Sequence, residues 1–237
     1  MASSWSARST SSGWRGADPK HSSPPPGPPL SLRNVLRSAR EALSNRITLG
    51  YTLATGFIFG AFISYLGTSQ QIFQDQYDAG KLFAVYFGVL AAGIGCASIT
   101  NATLVTRFGM RTLSKLALRA ACLWSLGFLV IAFLLGGHPP LWFFLVFMVV
   151  LFFCNGLLFG NYNALAMEPM GHIAGVAAAV IGAGSSLIAV VAGTLIGRLY
   201  DGTVIPLVAG FACMEVAAFL LTEWAERGRP KRVITPS

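Results

Sequence analysis

Six stretches of this chain are each about as long as a bilayer is thick and almost free of charge. Crossing roughly 30 Å of hydrocarbon takes about 20 largely apolar residues as a helix, because backbone polar groups there must be satisfied within the segment itself. The runs place helix a at 47–69, b at 81–105, c at 113–136, d at 140–163, e at 173–197 and f at 204–223. Only 11% of the residues are charged, against about 25% in soluble domains. The expected fold class is an all-α membrane protein with six transmembrane helices.

The charges that remain fall at the ends of these runs. Arg33, Arg37, Arg40 and Arg46 precede a, Arg107, Arg111, Lys115 and Arg119 surround the b–c loop, and Arg227, Arg229, Lys231 and Arg232 follow f. The a–b loop sets Asp75 and Asp78 against Lys81, GGHPP between c and d carries no charged residue besides a neutral His, and the e–f loop balances Arg198 with Asp201. Basic residues in alternate loops orient a membrane protein, so both termini are expected on the cytoplasmic side. The same placement accounts for the net charge of +8 without a nucleic-acid partner.

Residues 1–30, rich in Ser, Pro, Gly and Arg, have no periodicity and no apolar core of a signal peptide; they read as a disordered tail, and His21 within it has no assigned role. In residues 31–46, Leu32, Val35, Leu36, Ala39 and Leu43 recur at helical spacing among arginines, with Ser31 as an N-cap. That pattern is a basic amphipathic juxtamembrane helix, with a fully solvated helix as the alternative. Residues 47–226 form the six-span body and 227–237 a basic cytoplasmic tail. Cys96, Cys122, Cys154 and Cys213 lie in separate apolar segments with no metal-ligand spacing. They read as small buried hydrophobes, and neither a metal nor a cofactor is expected.

A displacement of 91 residues overlays GVLAAGIG (88–95) on AVIGAGSS (179–186), pairing Val89 with Val180, Ala92 with Ala183 and Gly93 with Gly184. It also sets Gly80 on Gly171 and Arg107 on Arg198. Helices a–c then match d–f, and because three spans is an odd number, the second copy is inverted. Gly171, Gly175 and Ala179, spaced by four, continue nearby into Gly182. They are expected to form a helix-packing face.

Polar residues interrupt this apolar background at few places. Asn155, Asn161 and Asn163 are followed by Glu168, seven residues after Asn161, and Pro169 and Gly171 then end or bend the helix. Two readings fit: a substrate-passage wall with a gate below it, or interhelical hydrogen bonding plus a capped loop. Glu215, in PLVAGFACMEVAAFLLTEW, lies mid-span, where an ionisable group is a candidate proton or cation site or an acid paired with a neighbouring helix. GAGSS (182–186) faintly resembles the serine motif of six-span intramembrane proteases, but no His follows it on a later helix to serve as base, so no enzyme activity is expected.

GFIFGAFISYLGTSQQIFQDQY (56–77), FGNYNALAMEPMGHIAGVAAAVIG (159–182), GTLIGRLYDGTVIPLVAGF (193–211) and the VTRFGMR loop (105–111) together resemble the second six-helix half of a major facilitator superfamily transporter. The resemblance is greatest to the Bcr/CflA-type drug:proton antiporters and runs from about 31 to 225. It implies two inverted three-helix repeats forming half of that fold. It also implies efflux of a small drug-like molecule across a bacterial inner membrane, driven by the proton gradient without a cofactor. Arg107, Gly109 and Arg111 match the second copy of the family's cytoplasmic gate signature, with Thr106 standing where that signature has an acid. On this reading Asn155, Asn161 and Asn163 line the substrate cavity, Arg107, Gly109, Arg111 and Glu168 form the inner gate, and Glu215 is a proton-site candidate. A complete family member has twelve spans. The tail that meets the family-like region at Leu30–Ser31 is the join expected of a truncated or frameshifted gene. The alternatives are therefore a transport-inactive membrane-inserted fragment, or a half that needs a homodimer or a separate N-terminal six-helix partner.

Overall fold

The computed structural model describes residues 32–227; the tail at 1–30, the Ser31 cap and the basic tail beyond Arg227 lie outside the described residues. Seven α-helices follow in order: α1 (Leu32–Ser44), α2 (Arg46–Gln71), α3 (Phe83–Phe108), α4 (Met110–Leu134), α5 (Leu141–Met167), α6 (Ala174–Gly197) and α7 (Ile205–Arg227). No strand occurs among the described residues. Five continuous helical runs are long and apolar enough to cross a membrane, and one of them, 141–197, has 57 residues. At about 1.5 Å per residue it would be nearly three bilayers long. It bends instead at Glu168–Ile173, where Pro169 and the non-helical Met170 (φ −108°, ψ 17°) separate α5 from α6. Six spans result.

Caps and turns explain where the helices end. Asn45 is extended, and its side-chain oxygen accepts hydrogen bonds from the Ile47 and Thr48 amides at 3.0 and 3.1 Å, so α2 starts with this single residue between it and α1. Gly109, at φ 77°, is the whole connection between α3 and α4, a conformation glycine adopts without strain. α5 runs to Met167 and α7 to Arg227, past the expected ends at 163 and 223. Hydropathy marks the hydrocarbon crossing, whereas these helices continue through polar residues at the bundle's end.

Hydrogen bonds sort the loops into two ends. At one end Gln76 donates to the Gly137 carbonyl (3.0 Å), Tyr77 to the Pro139 carbonyl (2.9 Å) and the Val204 amide to Gly137 (3.1 Å). At the other, the Thr48 hydroxyl donates to the Ala166 carbonyl (2.9 Å) and Arg46 to the Trp224 carbonyl. The start of α2 thus meets the ends of α5 and α7, as alternating spans require. This second end carries the basic loops.

The packing obeys the repeat. α2 packs on α6 and α7, and correspondingly α5 packs on α3 and α4; α2 also meets α5, and α4 meets α7. One close approach in each repeat matches residue by residue. A Cβ on Gly56 of α2 would collide with Ile188 at 2.8 Å and sit 3.1 Å from the Ser185 carbonyl. One on Gly156 of α5 would meet Ala97 at 2.7 Å and the Ile94 carbonyl at 3.4 Å. Ile94 and Ala97 become Ser185 and Ile188 on the 91-residue displacement, and GFIFG (56–60) becomes GLLFG (156–160) on one of 100.

The packing face of α6 differs from expectation. Gly171, Gly175, Ala179 and Gly182 are exposed, and a Cβ at any of these three glycines would touch nothing within 4 Å. The buried stripe is Ala177, Ile181, Ser185, Ala189 and Gly193, also spaced by four. α2 presents Gly56 and Gly60 to that stripe, and this pairing decides which of the two small-residue faces turns inward. The outward faces are apolar: Val85 and Ile99 on α3, Leu123 and Val130 on α4, Leu187 and Leu195 on α6. Such a surface suits lipid rather than water.

Candidate functional site

Polar side chains gather at the basic end. Arg111, in the first turn of α4, holds Glu168 with two guanidinium nitrogens, at 3.2 and 2.5 Å, and Glu226 with Nε at 3.1 Å. Glu226 also accepts the Tyr51 hydroxyl at 2.8 Å. One guanidinium therefore joins the ends of α5 and α7 to the start of α2, using the fork geometry that makes arginine a strong carboxylate ligand. Tyr51 stacks edge-on against Tyr162 at 5.1 Å, and the Tyr162 hydroxyl lies 3.1 Å from that of Thr222. Arg46 caps this end, its guanidinium 4.7 Å from the Trp224 ring centre. Of the expected gate residues, the structure brings Arg111 and Glu168 together. Gly109 forms the turn beside them, and Arg107 is exposed with no ion-pair partner among the described residues. Glu226 was not singled out from the sequence; near the basic tail it reads as an ordinary solvated acid.

Deeper in the bundle, Glu215 of α7 is 0% exposed and Asn155 of α5 is 3% exposed. The two face each other as near neighbours, and neither side chain has a hydrogen-bond partner elsewhere among the described residues. Cys122 and Cys154 are also within electrostatic reach of the carboxyl. Leaving a buried polar group unmatched costs about 1–3 kcal/mol, so this buried carboxyl and its amide neighbour form a polar site in a largely apolar interior.

Asn161 is 3% exposed and pairs reciprocally with Asn101 of α3, each amide donating to the other's carbonyl, at 2.8 and 3.2 Å. Asn101 is a further polar residue that sequence reasoning missed: single and mid-helix, it gives no signal until its partner is known. Asn163 lies on the exposed face of α5 and donates to the Phe159 carbonyl at 3.0 Å. The three asparagines thus occupy three different surroundings. No cluster of side chains suited to a metal occurs among the described residues.

The family model of the Major Facilitator Superfamily matches residues 11–194. An uncharacterized MFS-type transporter, YdgK of Bacillus subtilis, is 27% identical over 181 residues, covering 76% of this chain and 44% of that protein. A bicyclomycin resistance protein homolog of Haemophilus influenzae is 24% identical over 191 residues, 80% of this chain and 47% of that protein. The chain therefore spans somewhat under half the length of the curated relatives it matches. No solved structure matches it. With its six spans, its two inverted repeats and a family match over most of its length, this multi-pass membrane chain belongs to the Major Facilitator Superfamily.

Proposed function

We propose that the chain is one six-helix half of a proton-coupled exporter of small drug-like molecules in a bacterial inner membrane, with both termini cytoplasmic. The observation that carries this reading is Glu215, a fully buried mid-span carboxyl whose polar neighbour is the buried amide of Asn155 and which has no cationic partner among the described residues. An ionised carboxylate without a counter-charge at that depth costs several kcal/mol. A group in this position is suited to taking up a proton in one conformation and giving it up in another. The proton gradient then supplies the energy and no cofactor is needed. The likeness to the bicyclomycin resistance protein homolog supports a drug-like substrate. Asn163, on the exposed face of α5, supplies polar lining for the cavity, whereas Asn155 and Asn161, expected beside it, are turned into the bundle. The Arg111–Glu168 pair closes the cytoplasmic end beside Gly109 and Arg107. A second six-helix bundle, either a separate half or another copy of this chain, completes the cavity.

The test is bicyclomycin accumulation in efflux-deficient cells expressing the chain, with and without a proton ionophore. Lower accumulation that the ionophore abolishes, and that Glu215→Gln loses, is the expected result. Accumulation unchanged by the wild-type chain would leave a transport-inactive membrane-inserted half, or one that needs a separate partner half. Export that Glu215→Gln leaves intact would remove the carboxyl from coupling.

A further inference from the structure

The first helix, α1, belongs to none of the six spans. The extended Asn45 breaks it from α2, and it packs across the basic end of the bundle on α6 and α2. Ala42 is fully buried on its inner side, and Glu41 reaches His172 in the α5–α6 bend at 2.7 Å. Its outer side is different. Arg33, Arg37 and Arg40, at successive turns, border one open recess together with Leu36. None of the three arginines has an ion-pair partner among the described residues. Leu36 is 62% exposed and Leu43, two turns on, 51% exposed.

We propose that this outer face of α1 is a docking surface for anionic phospholipid headgroups, with Leu36 and Leu43 dipping into the acyl boundary below them. Two properties have to be matched by one partner: three unpaired positive charges and two exposed leucines on the same side of a helix. A negatively charged bilayer surface offers both, anionic headgroups at one level and hydrocarbon a few ångströms deeper. Charge complementarity decides against a zwitterionic surface, and the leucines decide against a free small anion. α1 also lies at the end of the bundle where the spans meet the headgroups, beside the Arg46 and Trp224 contact. Arginine stems reach along apolar surface while their guanidinium heads remain at the polar level. Each arginine near such a surface contributes about a fivefold gain in binding, so the three together contribute roughly a hundredfold.

The experiment is hydrogen–deuterium exchange of the full chain in nanodiscs made of phosphatidylcholine alone, or of phosphatidylcholine with about a third phosphatidylglycerol. The α1 amides are expected to exchange tens to a hundred times more slowly in the anionic discs. A variant with all three arginines replaced by Gln loses that difference, and one with all three replaced by Lys keeps it. Unchanged exchange in α2–α7 verifies that each variant is folded, and the wild-type comparison between the two lipids stands without any variant. Equal protection of α1 in both lipids overturns the proposal. So does equal protection in phosphatidylcholine discs when inorganic phosphate is added, which would make the recess a small-anion site.

Discussion

Arg111 ties two carboxylates and, through one of them, a tyrosine hydroxyl into a single set of bonds at the basic end. What each bond contributes depends on how far it is withdrawn from water. Glu226 is 12% exposed in this set, whereas Glu223 meets Arg119 at 3.7 Å with 30% and 59% of the two side chains exposed. Exposed pairs typically contribute under about 1 kcal/mol, while an orphaned buried donor costs about 1–3 kcal/mol. Glu226→Ala leaves both Arg111 and Tyr51 short of a partner. It is expected to lower the melting temperature in detergent by several degrees, and Glu223→Ala by about a degree or less. Equal effects from the two variants would mean that the Arg111 set is as wet as an ordinary surface pair.

At the level of helices, the crossing of α2 on α6 depends on missing side chains. A Cβ on Gly193 would stand 2.7 Å from the Gly60 carbonyl, a backbone atom that cannot rotate away. Gly193→Ala should cost about 1–3 kcal/mol, whereas Gly182→Ala, with nothing within 4 Å, should be neutral or gain up to about 1 kcal/mol of helix propensity. Thermal unfolding in detergent checks both, and a Gly182→Ala variant as damaged as Gly193→Ala would reverse the assignment of faces. The six spans were legible in the sequence because a bilayer imposes a length and a polarity that leave little freedom. The inward face of α6 was not. Small residues recur on both of its sides, at Gly175, Ala179 and Gly182 as well as at Ala177, Ser185, Ala189 and Gly193. Only the glycines of α2 choose between them. Asn101 and Glu226 were hidden for the same reason, since their partners Asn161 and Arg111 are distant in the chain. The Arg111 and Glu168 pairing was within reach because both residues flank breaks at the same expected side of the membrane.

Over the whole molecule the two ends alternate, and this can be read chemically. Cysteines introduced at His138 and Gly202 belong to one end, and one at Thr106 to the other. A membrane-impermeant maleimide added to intact cells is expected to label the first two and to reach the third only after permeabilisation, as basic loops on the cytoplasmic side require. Labelling of Thr106→Cys alone would invert the molecule, and a difference between positions 138 and 202 would break the six-span arrangement. The crossed pairing of the repeats also sets a timetable for synthesis. α2 finds its principal neighbours in α6 and α7, and α3 finds its own in α5, so the first three helices to leave the ribosome have few contacts with one another. At roughly 5–20 residues per second, α2 waits in the bilayer for several seconds or more until α6 emerges. During that interval its glycine notches and the buried threonines Thr48, Thr52 and Thr55 face lipid or the insertion machinery. The arrival of α6 covers them.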